Sequence, residues 1–407
     1  TWPTRRRKRS PRPAARSPRT IRGTASNDSR PNDPHQAHAM NRIVPEPLAK
    51  LPWLVIILVI AIGCFGQIVL YSAAGGSLRP WALSQGIRFF VLLAGAMGLS
   101  YIPERTWKAA ALPAYALIVL SLIAVEILGK VSGGSQRWLD LGFIRLQPSE
   151  FMKPAIVLAA AKFYDMLPPG ETRRFGGIWP AALLIAVPAA IVMKQPDLGT
   201  ALMICSGGAT VMFLAGVPLR LFVGGAIAAA IAIPLSINFL LHDYQRNRIL
   251  IFLDPESDPL GTGYHISQSK IAIGSGGIWG KGFLQGTQSH LDYLPEGHTD
   301  FVFATMAEEW GLVGGCLLIL AFLLVIRWGI EVGQRANSRF ARLTAAGLAT
   351  TIFFYVAINL MMVMGLAPVV GIPLPLVSFG SSAQMTVLLC LGILMSIDRQ
   401  NRKTVGW

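Results

Sequence analysis

The side chains best suited to chemistry lie in one polar stretch, residues 242–301, between two strongly apolar segments. It holds four of the six histidines, and its acidic residues outnumber its basic ones by seven to four. The stretch ends in LPEGHTDFVF, where Asp300 comes just before a new apolar run. Backbone amides and the dipole at a helix start would keep such a carboxylate ionised, and an ionised aspartate can accept a proton from a substrate hydroxyl. Asp300 is therefore our candidate general base, and the alternative is that Thr299 or Asp300 only caps the helix.

Further polar residues surround Asp300 in the sequence. His298 and Thr299 precede it, while Glu308 and Glu309 follow about 12 Å deeper at 1.5 Å per residue of helix. If the apolar run crosses a membrane, a carboxylate at that depth must be paired, neutral or facing water. Structural pairing and cavity lining both remain open for the two glutamates. We assign His298, Thr299 and Glu308 to the cavity or its lid.

The same polar stretch predicts a cover for the site. Residues Gln268–Ile273 can form a short amphipathic helix on a membrane surface, and Lys270 lies within it. Glycines follow at positions 274, 276, 277, 280 and 282, which predicts a flexible segment. A mobile lid over a site fits this pattern, and we assign Lys270 to the cavity or lid.

A second group of candidate residues begins in the loop GGSQRWLDLG, residues 133–142. Arg137 can bind a phosphate through two hydrogen bonds, and Trp138 can stack on a sugar or anchor the chain at the membrane interface. Glu150 and Lys153 follow at positions i and i+3 of a predicted helix, so they can pair. They form either a plain ion pair or, together with Arg137 and Trp138, part of a substrate-binding surface.

A third group lies in Pro368–Gln384, PVVGIPLPLVSFGSSAQ, a connection dense in proline, glycine and serine. Non-helical backbone at membrane depth persists only where it is buried in protein or lines a water-filled cavity. We therefore predict a cavity wall here and assign Ser378 and Ser382 to substrate binding.

Composition predicts the elements that position these residues. Hydrophobic residues make up 53% and charged residues 14% of the chain, whereas a soluble domain carries about a quarter charged residues. About 20 apolar residues cross the hydrocarbon core as a helix. The sequence therefore predicts an all-α, polytopic integral membrane protein with ten transmembrane helices. The expected spans are 53–72, 82–100, 108–128, 149–165, 177–193, 198–215, 221–241, 302–326, 344–366 and 381–397.

The distribution of charge divides the chain and orients it. Residues 1–39 contribute +8 of the net charge of +15, so the basic balance does not indicate a nucleic-acid partner. This composition predicts a disordered basic tail over residues 1–50, with the true start of the protein expected at Met40. Twelve Lys or Arg lie in the short loops and the C-terminal tail on the terminal side, against five in the short loops on the other side, which predicts that both termini are in the cytoplasm. We expect a membrane domain over residues 51–398, an extracytoplasmic loop over residues 242–301 and a short cytoplasmic tail over residues 399–407.

Seven motifs are spread over these spans and loops: QRWLDLG, QPSEF, KQPDLGT, DYQRNRI, LDPESDPLGTGYHISQSKIAIGSGG, GTQSHLDYLPEGHTDFVFA and PLPLVSFGSS. In them the chain resembles the SEDS family (shape, elongation, division and sporulation proteins) over about residues 50–400. The unbroken segments DPESDPLG and GTQSHLDYLPE are typical of the elongation branch of that family rather than the division branch. One departure is Ser381, where the family usually has a glycine.

The resemblance implies a fold, an activity and a partner. It implies the ten-span SEDS fold in the bacterial cytoplasmic (inner) membrane. It also implies a peptidoglycan glycosyltransferase that polymerises lipid II, an undecaprenyl-pyrophosphate disaccharide-pentapeptide, during cell elongation. The implied partner is a class B penicillin-binding protein, which is a transpeptidase. The implied catalytic base is Asp300, and Arg137, Trp138, Glu150 and Lys153 would line the cavity.

The implied reaction is one inverting displacement, in which Asp300 takes the proton of the acceptor hydroxyl and cations stabilise the leaving pyrophosphate. A lipid II flippase and a scaffold that only recruits the transpeptidase are the alternatives. A flippase predicts charged groups along a path across the membrane, and Arg88, Glu308 and Glu309 keep that alternative open. The sequence shows no cofactor motif and no set of metal ligands, although a divalent cation could assist the pyrophosphate. Lipid II and membrane lipids are the other expected partners.

Overall fold

The computed structural model describes residues 51–404 apart from 129, 133–134, 141–144, 169, 240–245, 247–250, 253, 255–257, 259–260, 292 and 295. The predicted basic tail, residues 1–50, lies outside the described residues. Most of the predicted cytoplasmic tail, residues 399–407, continues the last helix as far as Thr404.

Twelve α-helices and three short strands follow one another within the described residues. The helices are α1 (Trp53–Ala73), α2 (Ala82–Leu99), α3 (Glu104–Leu128), α4 (Pro148–Met166), α5 (Phe175–Lys194), α6 (Leu198–Ala215), α7 (Leu219–Phe239), α8 (Thr262–Gly276), α9 (Thr287–His290), α10 (Val302–Gln334), α11 (Arg339–Val363) and α12 (Ser381–Thr404). The strands are β1 (Lys130–Ser132), β2 (Ser135–Asp140) and β3 (Arg145–Leu146).

Each predicted span lies within, or largely overlaps, one helix of 18 residues or more, namely α1 to α7 and α10 to α12. Eight of these helices are long and apolar enough to cross a membrane. The other two are α4, which contains Glu150, Lys153, Lys162 and Asp165, and α7, whose described apolar stretch is Leu219–Ile231. The prediction of an all-α polytopic protein is thus confirmed, while the number of ten crossings stays a prediction.

The connection between α3 and α4 contains a small antiparallel sheet that the sequence analysis did not predict. The central strand β2 pairs with β1, where Lys130 is opposite Trp138, and with β3, where Leu139 is opposite Leu146. The strands are two to six residues long, too short to show a clear alternation of apolar and polar residues. The sheet holds Arg137 and Trp138 just ahead of α4.

The core of the bundle lies around α11 and α12. About 67% of the residues in the apolar part of α11 and 78% in that of α12 are buried, against 17% in α3. Helix α11 packs against α4, α6 and α10, and α12 packs against α2. The largest fully buried side chains include Tyr355 and Lys153. The centre of the bundle is therefore not purely apolar.

Helix α8 is longer than the surface helix predicted at Gln268–Ile273, and one of its faces is buried. Ile266, Ser269 and Ala272 recur every third residue and are at most 1% exposed. Their stripe lies against α10 and α11, and the Ser269 hydroxyl donates to the Val363 carbonyl oxygen at 2.7 Å. The small residues on this stripe permit close helix packing, and the place of the helix at the membrane surface stays a prediction.

Helix α10 is interrupted at Gly311, whose backbone has φ 63° and ψ −163°. The chain that follows α8 packs against this break and bonds to backbone groups of α10 that the interruption leaves without a partner inside the helix. Four backbone hydrogen bonds join the two segments: Lys281 N to Glu308 O at 3.0 Å, Gly282 N to Glu309 O at 3.1 Å, Leu312 N to Gly277 O at 2.9 Å and Val313 N to Ile278 O at 3.2 Å.

Two of the five glycines in this region, Gly276 and Gly280, serve close packing, and the flexibility predicted for the segment stays a prediction. A Cβ atom on Gly276 would overlap the Ala307 carbonyl oxygen, and one on Gly280 would overlap that of Glu309. Only residues without a side chain let the two backbones approach this closely.

Candidate active site

Asp300 lies in a turn, residues 296–301, that leads into α10. Phe301 occupies the cap position of that helix, so the alternative that Thr299 or Asp300 caps it is wrong. The Thr299 hydroxyl instead bonds to the carboxylate of Glu296 and, at 3.2 Å, to its carbonyl oxygen. The Phe301 amide also donates to the Glu296 carbonyl, at 3.2 Å. Glu296 thus closes the turn.

One buried amide joins this turn to the loop that follows α11. The Asn359 Nδ2 atom donates to the Asp300 carbonyl oxygen at 2.8 Å and to the Ile372 carbonyl oxygen at 2.7 Å. Asn359 is fully buried, where a hydrogen bond that is lost is not replaced by water. It therefore fixes the backbone of Asp300 relative to the Pro368–Gln384 loop.

The Asp300 carboxylate faces that loop. A Cβ atom built on Gly371 would lie 3.5 Å from Asp300 Oδ2, and Gly371 has a positive φ of 71°. The start of α6 packs on the same loop, since a Cβ atom on Gly199 would lie 2.9 Å from the Val370 carbonyl oxygen. Asp300 and the first turn of α6 therefore flank one short piece of chain.

Arg137 is attached to the turn that precedes α6. Its Nε atom donates to the Gln195 carbonyl oxygen at 3.0 Å, and its Nη2 atom donates to that of Pro196. Its Nη1 atom lies 3.8 Å from Asp197 Oδ2. Asp197 caps α6 by accepting from the Thr200 amide at 3.1 Å. Arg137 and Asp300 are thus brought to the same end of the bundle, linked through the start of α6.

His298 forms an aromatic wall beside Asp300. Its ring stacks on Trp81 with centroids 4.0 Å apart and an interplanar angle of 11°. The His298 carbonyl oxygen accepts from the Phe379 amide at 2.8 Å, which ties the turn to the Pro368–Gln384 loop a second time. Burial lowers the pKa of the His298 imidazole below its ordinary value, and the nearby Glu296 carboxylate partly opposes this effect. The imidazole is therefore neutral at neutral pH.

The two serines assigned to substrate binding differ in their surroundings. Ser378 is buried, and its hydroxyl accepts from the Leu374 amide at 2.8 Å. Its carbonyl oxygen accepts from Gln85 Nε2 at 2.9 Å. Ser382 lies in the first turn of α12 and is partly exposed. Ser378 therefore shapes the loop that faces Asp300, whereas Ser382 lies at its surface.

Glu150 and Lys153 pair as their spacing predicts, and Tyr355 completes a buried network. Lys153 Nζ lies 2.6 Å from Glu150 Oε1 and 2.8 Å from the Tyr355 hydroxyl oxygen. The Tyr355 hydroxyl donates to Glu150 Oε2, and Nζ lies 4.3 Å from the centre of the tyrosine ring. The three side chains are 5%, 1% and 0% exposed. The network joins the first turn of α4 to α11, one turn of helix before Asn359.

Glu308 and Glu309 hold the chain between α8 and α10. Glu308 pairs with Lys281 at 2.6 Å and accepts from the Thr287 and Gln288 amides at 2.9 and 3.0 Å. Glu309 accepts from the Ser72 hydroxyl. Both carboxylates are at most 2% exposed. Glu308 is thus paired, Glu309 is held by a neutral hydroxyl, and cavity lining by either residue stays a prediction.

Lys270 projects from the exposed side of α8 toward the end of α11. Its aliphatic stem crosses Gly365, where any Cβ atom would overlap Lys270 Cε. Gly365 has a positive φ of 71°, so a side chain there would also strain the backbone. Lys270 thus lies near the loop after α11, at the same end of the bundle as Asp300.

Three residues near the candidate site, Tyr355, Asn359 and Trp81, were not predicted from the sequence. Tyr355 and Asn359 are four residues apart, so they share one face of α11 within an otherwise apolar span. Two polar residues on one face of a membrane span are a signal for function that the sequence did contain. Trp81 carried no comparable signal, because a tryptophan before a span also fits an interfacial anchor.

A metal ion would need several side chains that could bind it together. Among the residues that the structure describes, no three His, Cys, Asp or Glu side chains are grouped so that they could hold a metal ion.

Comparison with known proteins places the chain in a family. The family model described as "Cell cycle protein", which covers FtsW, RodA and SpoVE, matches residues 52–403. The chain belongs to the FtsW/RodA/SpoVE family. This is the family that the motifs resemble, and its members are multi-pass membrane proteins, in agreement with the apolar helices.

Named members of the FtsW/RodA/SpoVE family align along most of the chain. "Peptidoglycan glycosyltransferase MrdB" of Escherichia coli K12 is 44% identical over 354 residues, which are 85% of this chain and 93% of that protein. "Probable peptidoglycan glycosyltransferase FtsW" of Trichlorobacter lovleyi is 32% identical, over 87% of this chain and 94% of that protein.

Solved structures of family members share the fold. A chain described under "Structural coordination of polymerization and crosslinking by a peptidoglycan synthase complex" has a TM-score of 0.75 and 31% identity, over 86% of this chain and 98% of that one. The Thermus thermophilus rod shape determining protein RodA has a TM-score of 0.66 and 28% identity, over 86% and 97%.

Proposed function

We propose that this chain is a peptidoglycan glycosyltransferase that polymerises lipid II into glycan strands at the outer face of the cytoplasmic membrane. The observation that carries this proposal is the placement of Asp300. Its turn is fastened by Asn359 to the Pro368–Gln384 loop, at the end of the bundle that also holds Arg137. Membership of a family whose relatives are named peptidoglycan glycosyltransferases supports the same activity.

The proposed reaction is a direct displacement at the anomeric carbon of the donor sugar. The 4-hydroxyl of the acceptor GlcNAc forms the new glycosidic bond while the bond to the undecaprenyl pyrophosphate breaks. Asp300 accepts the hydroxyl proton, and the pyrophosphate leaves as an anion that needs no proton from the enzyme. An α-linked donor then gives a β-linked glycan in one inverting step.

We propose that Arg137 and Lys153 supply positive charge near the pyrophosphate, and Arg137 is the better placed of the two. Its side chain is 24% exposed, whereas Lys153 is 1% exposed, so Arg137 is the more accessible of the two to a ligand. Lys153 is enclosed by Glu150 and Tyr355, and direct contact with the pyrophosphate would require this network to open. Trp138 is partly exposed in β2 and can stack on a sugar of the substrate.

The remaining assignments follow from the positions of their side chains. Ser378 shapes the loop that faces Asp300, and Ser382, partly exposed at the start of α12, is the serine whose hydroxyl can bond to a sugar. Lys270, His298 and Thr299 border this end of the bundle, and Glu308 holds the chain between α8 and α10.

Partners, location and cofactor are further parts of the proposal. One solved relative belongs to a peptidoglycan synthase complex, which supports a class B penicillin-binding protein as the partner transpeptidase. We place ten spans in the inner membrane, with both termini in the cytoplasm.

A divalent cation would act on the pyrophosphate of the substrate. Comparing polymerisation in EDTA with polymerisation in added magnesium tests whether the reaction requires such a cation.

The test is synthesis of glycan by the purified protein from fluorescent lipid II, resolved on a gel. We expect Asp300→Asn to abolish polymerisation while the melting temperature stays close to that of the wild type, because the backbone bond to Asn359 is kept. Near-normal glycan synthesis by a well-folded Asp300→Asn variant would contradict the assignment of the general base. A wild-type protein that makes no glycan, alone or with its transpeptidase, would contradict the activity itself.

Translocation of lipid II in liposomes separates this function from the flippase alternative. The pairing of Glu308 with Lys281 and of Glu309 with Ser72 argues against a transport path through these groups. We therefore expect glycan synthesis without translocation. Translocation without synthesis would favour the flippase, and the absence of both would favour the scaffold.

A further inference from the structure

The segment of residues 277–283, between α8 and α9, is built into the break of α10. Two of its amides donate to carbonyls before the break, and two of its carbonyls accept from amides after it. Backbone groups at the edge of a bilayer must be satisfied within the protein. This pairing satisfies both the segment and the interrupted helix, so the segment can lie at membrane depth without being helical.

The height of the segment follows from the length of α10. The part of α10 from Gly311 to Gln334 rises about 36 Å at 1.5 Å per residue, enough to cross a hydrocarbon core of about 30 Å. Gly311 therefore lies near one edge of the hydrocarbon core. The far end of the segment meets the last turn of α1, where the Phe283 and Tyr71 rings stack with centroids 6.2 Å apart. The segment thus runs from α10 to α1 along the bilayer edge.

Its outward side chains are apolar and exposed. Ile278 is 61% exposed and Trp279 is 80% exposed. Beside them on α10, Leu312 is 63% exposed, and Leu317, farther along the same helix, is 62% exposed. This surface belongs to a helix that is apolar enough to cross a membrane, so the segment extends a lipid-facing surface rather than a water-facing one.

We propose that residues 277–283 are an anchor segment that binds the outer-leaflet lipid at the boundary of acyl chains and headgroups. Ile278 lies among the acyl chains, and Trp279 lies at the interface, where tryptophan is enriched in membrane proteins. The basic residue of the segment, Lys281, is neutralised by Glu308. The anchor therefore depends on apolar contact and not on anionic headgroups.

This proposal goes beyond the glycosyltransferase activity and does not rest on it. The proposed orientation is needed only to say that the leaflet is the outer one. The consequence for the molecule is that the chain between α8 and α10, expected from the sequence to be extracytoplasmic, returns to the membrane before α9.

Spin-label depth measurements test the anchor segment. The full chain, with its four cysteines replaced, is reconstituted in liposomes of zwitterionic phosphatidylcholine with a nitroxide at Trp279→Cys. Leu317→Cys is the lipid-facing reference, and Gln285→Cys is the matched exposed position in the same loop. Power saturation compares the accessibility of each label to oxygen and to a water-soluble nickel chelate.

We expect the ratio of oxygen to nickel accessibility at position 279 to be well above that at position 285 and closer to that at position 317. The result should be unchanged when anionic lipid is added. A ratio at position 279 equal to that at position 285 would overturn the proposal. If Trp279→Cys fails to fold, Ile278→Cys gives the same comparison, and high nickel accessibility there would overturn the proposal equally.

Discussion

At the scale of single residues, the network of Glu150, Lys153 and Tyr355 offers the clearest test of structure against function. Removing one partner of a buried ion pair strands a charge and costs about 3–5 kcal/mol. We expect Glu150→Gln and Lys153→Met each to lower the melting temperature, because Lys153 and Glu150 are both enclosed. The double variant should recover most of the lost stability, since it leaves no unpaired charge.

Activity then decides what the network does. We expect the double variant to remain inactive in lipid II polymerisation although it is folded, if Lys153 contributes charge to the site. Recovery of activity together with stability would show that the pair is only structural. Tyr355→Phe is the matched control, because it removes one hydroxyl and leaves both charges in place.

His298 gives a prediction for pH. Its pKa is lowered by burial, so the folded protein binds fewer protons there than the unfolded chain, whose histidine pKa is about 6.5. The folded state should therefore lose stability as the pH falls below about 6.5, until the pH passes the lower pKa of the folded state. His298→Phe keeps a ring to stack on Trp81 but cannot titrate.

The measurement is the melting temperature of the wild type and of His298→Phe between pH 7.5 and 5. We expect the wild type to lose more stability than the variant over the acid part of this range. Parallel curves for the two proteins would contradict the assignment, because all other titrating groups are shared.

At the scale of elements, the close contact between α8 and α10 depends on Gly276. We expect Gly276→Ala to destabilise the protein by about 1–3 kcal/mol, because the new Cβ atom would overlap the Ala307 carbonyl oxygen. Gly274 is the matched control: it lies in the same helix, is exposed, and has no atom of another element within 4 Å of a built Cβ. Gly274→Ala should be neutral or stabilising by up to about 1 kcal/mol.

Thermal unfolding of the two variants in the same detergent checks this expectation. Equal melting temperatures for Gly276→Ala and Gly274→Ala would mean that the two helices do not touch in this way.

The helices themselves could be predicted, because each span is a run of apolar residues whose length the bilayer dictates. The sheet before α4 could not, since its strands are too short to show a period. The burial of α8 and the break at Gly311 also escaped prediction. Both depend on a surface supplied by another part of the chain, and a glycine in the sequence does not show whether it bends, packs or moves.

Contacts within the candidate site were predictable where the residues are close in sequence and not where they are far apart. Spacing alone paired Glu150 with Lys153. Tyr355, their third partner, lies 202 residues beyond Lys153, and no local pattern specifies that contact. The motif around Asp300 identified the carboxylate, but the amide of Asn359 that holds its backbone comes from α11.

At the scale of the whole molecule, the proposed orientation predicts which loops an impermeant reagent reaches. Gln285 and Gln334 are both exposed, the first between α8 and α9 and the second at the end of α10. With the four native cysteines replaced, Gln285→Cys should react with an impermeant maleimide in intact spheroplasts. Gln334→Cys should react only after the membrane is opened. The reverse pattern would overturn the orientation and would move the proposed site to the cytoplasmic side.

The break in α10 also bears on the order in which the protein assembles. The part from Gly311 to Gln334 is long enough to insert into a bilayer as an ordinary helix, with its hydrogen bonds satisfied from within. The part from Val302 to Trp310 completes its hydrogen bonding with residues 277–283, which are already synthesised when it emerges. We therefore expect Asp300 to reach its final position only after membrane insertion, once the preceding loop has docked. If Asp300 is the general base, as proposed, we expect catalytic competence to be acquired later than transmembrane topology during biogenesis.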